Sequence, residues 1–204
     1  DGVLEVPAGY KRTEVGVMPE DWCLSTLGAT CTFENGDRGK NYPSPSSFVS
    51  SGVPFINAGH ISDGRIDLTA MQYIASASYE RLSGGKLKPG DILFCLRGSL
   101  GKFGVVSADF GKGGIASSLV IVRPKPSKLS ARYLSCYFGS VLCRTMIEKW
   151  SGGAAQPNLG AQDLARFLIP HPFDRHEQRA IAEALSDVDE LIAALSKLIA
   201  KKQA

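Results

Sequence analysis

Residues 174–204 read DRHEQRAIAEALSDVDELIAALSKLIAKKQA. Apolar side chains recur at Ile181, Leu185, Val188, Ile192, Leu195 and Ile199, with spacings alternating between four and three. That alternation is the a/d seam of a coiled coil. Ala184, Leu191 and Leu198 widen the stripe on one flank, so the helix carries more apolar surface than a two-stranded seam needs. Asp174, followed three residues later by Glu177, has the form of a capping box, and Lys201 and Lys202 suit the negative end of the helix dipole. Two readings fit the stripe: a helix packed on its own domain, or one arm of a helix pair. Its length, regularity and terminal position favour the pair, and no other stretch of the chain supplies a matching helix.

Upstream of this helix the chain reads as one α+β body. Pro170 and Pro172 form a stiff hinge into the helix, after a last strand at Phe167–Ile169 and a helical turn at Gln162–Arg166. Leu134, Tyr137, Phe138, Val141, Leu142 and Met146 follow helical spacing, and Gly139-Ser140 divides them into two short helices, with Ser140 capping the second. Short strands are expected at Trp22–Leu27, Ala29–Phe33, Val53–Asn57, Gln72–Ile74, Phe103–Ser107 and Ile115–Val122, and a short helix from Ser76 or Ser78 to Leu82. The uninterrupted apolar run Ile92–Leu96 calls for a strand buried on both faces. Residues 1–21 show no periodicity and read as an extended arm. The sheet should be mixed or mostly antiparallel, since no βαβ succession occurs.

Composition narrows the classes. No apolar run reaches the length that spans a bilayer. Five cysteines, at 23, 31, 95, 136 and 143, form no CxxC pair and suit a reduced, cytoplasmic protein. His60, His171 and His176 are not spaced with them as zinc ligands are. The net charge is +3; the terminal helix holds five Lys/Arg against six Asp/Glu, so the body carries the excess of positive charge. Such a body suits a nucleic-acid surface without requiring one.

Catalytic signatures are absent. Gly98-Ser99-Leu100-Gly101-Lys102 has too few residues between its glycines for a nucleotide-binding P-loop, and Phe103 stands where that loop has Ser or Thr. A hairpin turn needing positive φ explains its glycines. There is no GxSxG elbow, no HExxH helix and no NPPY-like methyltransferase tetrapeptide. No cofactor or metal is expected. What remains is recognition. Three glycine-bearing loops present basic or amide side chains: Arg38 and Lys40, then Arg97, Ser99 and Lys102, then Gln156 and Asn158. Arg matches the guanine edge and Asn or Gln the adenine edge, while Lys, Ser and backbone N–H groups match phosphates. Each of these residues also has a plain structural use: the amides can shape their own loop, and Arg97 can pair with a nearby acid.

Several stretches, in order, carry a family likeness: Thr13–Trp22 (TEVGVMPEDW), Val53–Ile66 (VPFINAGHISDGRI), Leu87–Gly101 (LKPGDILFCLRGSLG), Trp150–Leu164 (WSGGAAQPNLGAQDL) and Ile169–Leu198. In them the chain resembles the specificity subunit of type I restriction–modification systems. The resemblance implies a DNA target-recognition domain, residues 1–173, followed by a conserved coiled-coil spacer helix, residues 174–204. It implies no catalysis by the subunit itself. Methyltransferase subunits that use S-adenosylmethionine, and a restriction and motor subunit, would assemble on it, and double-stranded DNA would be read one half-site at a time. In the complete subunit two such units set their helices antiparallel. This chain holds one, as a fragment or a half-length subunit would, so its helix would pair with a second recognition unit or a second copy through Ile181, Leu185, Val188, Leu191, Ile192, Leu195 and Ile199. The competing readings are a recognition domain from a fused restriction–methylation enzyme and a coiled-coil scaffold without a DNA role.

Overall fold

Ile92, Leu93, Phe94 and Cys95 are all fully buried. Side chains alternate faces along a strand, and here each face meets its own core. Ile92 and Phe94, with Val120 and Val122, pack against Tyr133, Leu134, Phe138 and Met146. Leu93 and Cys95, with Leu119 and Ile121, pack against Ile56, Ile61 and Ile115. One sheet therefore lies between a helical layer and a second set of strands, and this is why its central strands read as unbroken apolar runs. At about 1.5–3 kcal/mol for each large side chain taken out of water, this two-sided burial holds the body together.

The structure is a computed structural model that describes residues 6–62, 64–151 and 158–203. The first half of the chain forms β1 (Tyr10–Thr13), β2 (Gly16–Pro19), β3 (Trp22–Thr26), α1 (Leu27–Thr30), β4 (Cys31–Asn35), β5 (Phe48–Val49), β6 (Val53–Ile56), β7 (Ile61–Ser62), β8 (Arg65–Ile66), β9 (Tyr73–Ile74) and α2 (Ser76–Arg81). The second half forms β10 (Ile92–Cys95), β11 (Phe103–Val105), β12 (Gly114–Ile115), β13 (Leu119–Pro124), α3 (Ala131–Gly139), α4 (Val141–Ser151), α5 (Ala161–Ala165), β14 (Leu168–Pro172) and α6 (Arg175–Gln203). The central sheet runs β11-β10-β13-β4 and is antiparallel throughout. A second sheet, β12-β6-β9-β5, has one parallel pair, β12 with β6. The architecture is α+β with mixed and antiparallel sheets and a long C-terminal helix, as expected.

An ion pair with a buried acid fastens the two inner strands of the central sheet at one end. Asp91 is fully buried and takes a two-pronged contact from Arg123, with Nε to Oδ1 at 2.6 Å and Nη2 to Oδ2 at 2.8 Å. Arg123 Nη1 also reaches Glu34 at 3.2 Å. The Asp91 contact, with Glu34 behind it, raises the Arg123 pKa above its ordinary value.

Three local expectations change. Residues 10–19 are a hairpin rather than an extended arm. Thr13 closes its turn by donating to Gly16 O at 2.8 Å, and Met18 is its one buried side chain, so alternation leaves little trace in the sequence. Ala29 and Thr30 belong to a helical turn, not to a strand, because Thr26 caps it by accepting from Ala29 N at 3.2 Å. Pro170 and Pro172 lie inside β14, which pairs antiparallel with β3. Their carbonyls turn away from β3, one to Tyr133 Oη at 2.8 Å and the other to Gln178 Nε2 at 2.9 Å. In an antiparallel ladder a residue's N–H and C=O point to the same side, so proline there removes no ladder bond.

The base of α6 is locked to the body. Gln178 is fully buried, and its amide accepts from Ser130 N at 3.0 Å and donates to Lys128 O at 3.0 Å and Pro172 O at 2.9 Å. Ala182 is fully buried and Ile181 packs on the main core. Asp174 accepts from His176 N at 2.9 Å. Glu177, expected to complete a capping box, instead accepts from the Trp22 indole at 3.0 Å. Beyond Ser186 the helix runs on for about 25 Å at 1.5 Å per residue, with Asp189 still lining a hollow beside α3. Along that arm Val188, Leu191, Ile192, Leu195, Leu198 and Ile199 are all about half exposed, as is Leu185 at its root.

Candidate nucleic-acid interface

Four loops meet in an open cleft of about 740 Å³ lined by Arg38, Arg97 and Asn158 together with Asn35, Ser83 and Gln162. Close packing sets the first loop. A Cβ on Gly36 would stand 2.7 Å from the carbonyl oxygens of Ile115 and Ala116, so only glycine passes there. Asp37 ties the same loop to its neighbour by accepting from Ser83 N at 2.8 Å and Ser83 Oγ at 2.9 Å. The Ser83 backbone N–H is the chief cause that lowers the Asp37 pKa below the usual carboxylate value.

The other loops are placed by β10. Leu96 N donates to Ser118 O at 2.9 Å, and Leu96 O accepts from Leu159 N at 3.1 Å. Leu159 is buried, so Asn158 and Arg97 are delivered to the same mouth. Arg97 Nη2 donates to Ser117 O at 2.9 Å, so it is steadied by a carbonyl rather than by an acid. Asp163 shapes the start of α5 by accepting from Gly160 N at 3.3 Å.

Arg38 and Asn158 are exposed, and neither side chain has a hydrogen bond or ion pair among the described residues. Their donors and acceptors are therefore available to a ligand. The cleft carries two guanidinium groups, from Arg38 and Arg97, and three carboxamides, from Asn35, Asn158 and Gln162. Its acids, Asp37 and Asp163, are engaged with backbone N–H groups. Such a surface offers fork-shaped donors and donor–acceptor pairs, the chemistry that reads base edges.

The expected set divides. Arg38, Arg97 and Asn158 share the cleft, and Lys40 is exposed on the adjoining helical turn Gly39–Asn41. Ser99 is half-buried in the tight turn after β10, where Gly98 and Gly101 have the positive φ expected of hairpin glycines. Lys102 lies in a separate hollow beside Phe103 and Arg144. Gln156 falls outside the described residues. The sequence does not mark Asn35, Ser83 and Gln162 as site residues, because each sits at the edge of an element and reads there as a turn or helix-end residue. Among the described residues no group of three or more His, Cys, Asp or Glu is arranged to hold a metal, and no helix is long and apolar enough to cross a membrane.

Comparison with known proteins gives a consistent result. The family model of the type I restriction modification DNA specificity domain matches residues 19–202. A putative type I restriction enzyme MjaX specificity subunit from Methanocaldococcus jannaschii is 31% identical over 196 residues, covering 93% of this chain and 44% of that one. The type I restriction enzyme EcoBI specificity subunit from Escherichia coli is 23% identical over 190 residues, covering 91% and 39%. The chain thus spans less than half the length of these relatives. Among solved structures, a chain from a study of complex assembly and conformational transition in a type I R-M system has a TM-score of 0.71 at 22% identity, over 91% of this chain and 42% of that one. The HsdS subunit from Thermoanaerobacter tengcongensis has a TM-score of 0.67 at 22% identity, over 93% and 42%.

Proposed function

Since the chain belongs to the type I restriction modification DNA specificity family, we propose that it reads one half of a split DNA target and carries recognition, not catalysis, for its enzyme. Residues 1–173 form the recognition domain and residues 174–204 the spacer helix. The observation that carries this reading is the cleft, where unpaired Arg38 and Asn158 meet Arg97, Asn35 and Gln162. Arg38 and Arg97 suit guanine, and the carboxamides suit adenine. Lys40 stands beside them for phosphate contacts, with Ser99 in the turn two residues beyond Arg97.

The half-exposed stripe on α6 is the pairing face, either with a second recognition unit or with a second copy. Ile181 fixes its root to the body, and Leu185, Val188, Leu191, Ile192, Leu195 and Ile199 form the free part. Charge supports an antiparallel pair. Along the arm beyond the base, Asp187, Asp189 and Glu190 lie toward the root, while Lys197, Lys201 and Lys202 lie toward the tip. An antiparallel partner sets each tip's lysines against the other root's acids. Methyltransferase and restriction subunits would assemble around this spacer, in the cytoplasm where the host's DNA lies.

The test is a mobility-shift titration of the chain with its methyltransferase subunit against a duplex selected from a random pool. Arg38→Ala and Asn158→Ala should each weaken binding to the selected duplex by about 5- to 150-fold, the equivalent of about 1–3 kcal/mol for a lost base contact. They should leave weak, salt-sensitive binding to unrelated DNA in place. If no duplex is preferred over the random pool, the reading is lost.

A further inference from the structure

A second concavity lies away from the cleft and centres on Phe103 of β11. The Phe103 ring packs obliquely on Phe138 of α3, with centroids 5.7 Å apart. Glycines keep the space around it open. A Cβ on Gly64, in the β7–β8 turn, would stand 3.4 Å from the Phe103 ring, and one on Gly139 would stand 3.9 Å from it. At Gly101, where φ is +87°, a Cβ would come within 2.8 Å of Ile147 Cδ1. Two hollows of about 590 and 440 Å³ result, and they share Gly64, Phe103 and Gly139. One runs over Leu100 and Ile147 to Lys102 and Arg144; the other runs past Arg65 to the root of α6 at Leu185.

The floor is apolar over Leu100, Phe103, Phe138 and Ile147, the second hollow adds Ser135, Ser140 and Ser186, and the rim is charged. Arg65, Lys102 and Arg144 are exposed, and none takes part in an ion pair among the described residues. Arg132, on the same rim, is engaged by Glu183 at 3.4 Å. Glu148 and Asp189 also stand there, so among the described residues three unpaired cations face two acids. A nucleic-acid backbone would leave the apolar floor uncovered, because a duplex is too wide to enter hollows of this size. A peptide segment fits both parts, as a large apolar side chain fills the floor while flanking carboxylates meet the rim.

We propose that this groove docks an acidic segment of a partner protein, with one large apolar anchor seated over Phe103 and Ile147 and carboxylates on Arg65, Lys102 and Arg144. The site stands apart from the DNA cleft and does not depend on that assignment. It gives Lys102 a use that its position supports better than base or phosphate contact in the cleft.

The experiment uses the full chain and three labelled probes, followed by fluorescence anisotropy. The first is a peptide of alternating Asp and Glu around a central Leu-Phe pair, the second has Ser-Ser in place of that pair, and the third is a random DNA duplex. The first peptide should bind at least tenfold more tightly than the second. Arg65→Ser with Arg144→Ser, both at exposed positions, should weaken it at least tenfold while the circular dichroism spectrum and melting temperature stay unchanged. Equal binding of the two peptides would overturn the proposal, as would binding that ignores the double variant. Duplex binding lost in that same variant would overturn it in favour of a nucleic-acid backbone.

Discussion

Replacing Gln178 by Leu tests what holds the spacer helix to the body. The substitution keeps the side chain's bulk and adds apolar contact, but it removes three hydrogen bonds at once. The Ser130 N–H is then left buried without a partner, the Pro172 carbonyl keeps only His171 Nδ1 at 3.0 Å, and the Lys128 carbonyl is left partly buried without this donor. A buried group stripped of its partner costs about 1–3 kcal/mol. One such group at about 2 kcal/mol, and two at about 1 kcal/mol each that keep another partner or reach water, come to about 4 kcal/mol, and leucine's better burial returns about 1 kcal/mol. The net loss of about 3 kcal/mol is a large share of the roughly 5–15 kcal/mol available to a domain. With a urea slope of about 2 kcal/mol/M the midpoint should fall by about 1.5 M. Gln178→Glu should be worse at neutral pH, because a carboxylate still accepts from Ser130 N but cannot donate to the two carbonyls. A shift below about 0.5 M for both variants, with unchanged slope, would show that Ile181 and Ala182 carry the joint by packing alone.

Three further outcomes are expected. Ile192→Asp with Leu195→Asp, both on the half-exposed arm, should abolish self-association in sedimentation velocity and leave the melting temperature of the body within a few degrees of the parent. The Asp37 carboxyl, held below the usual range by Ser83 N–H, stabilises its loop fully above the ordinary aspartate pKa. It loses that contribution as pH falls through the lower folded value, so the Ser83 amide resonance should titrate in that acidic window and lose the dependence in Asp37→Asn. Burial pushes the thiols of Cys31 and Cys95 up to about 11 and that of Cys143 up to about 12. Native protein should therefore leave these three unreacted toward a disulfide reagent at pH 8, and urea should release them.

The two-sided core was legible because Ile92–Cys95 and Leu119–Val122 allow no polar face. The terminal helix was legible because its period is long and unbroken. Local competition between strand and turn was harder to see. Thr26 turns the next residues into a helix through a single capping bond, and β14 accepts two prolines because tertiary partners, Tyr133 and Gln178, take their carbonyls. Sequence pattern does not carry such long-range partners. The site behaved in the same way. Residue chemistry pointed to Arg38, Arg97 and Asn158, and the bond between Leu96 O and Leu159 N helps place the latter two in one cleft. Lys102 sits five residues from Arg97, yet the tight turn at Gly98 and Gly101 sends it to another surface.

The ladder between β3 and β14 joins residues that lie far apart in the chain, as the contact between Ser25 and His171, 146 residues apart, illustrates. Closing so long a loop costs more chain entropy than the local contacts of the body, so the ladder should close late in folding. Substitutions in this ladder should therefore leave the folding rate nearly unchanged and speed unfolding. The ladder also bears the foot of α6, through Pro172 and Gln178. The direction in which the helix points is then a matter of time as well as geometry: it persists for as long as this ladder stays shut. A subunit that clamps this foot would act first on the opening rate, lengthening the interval over which the helix keeps its bearing.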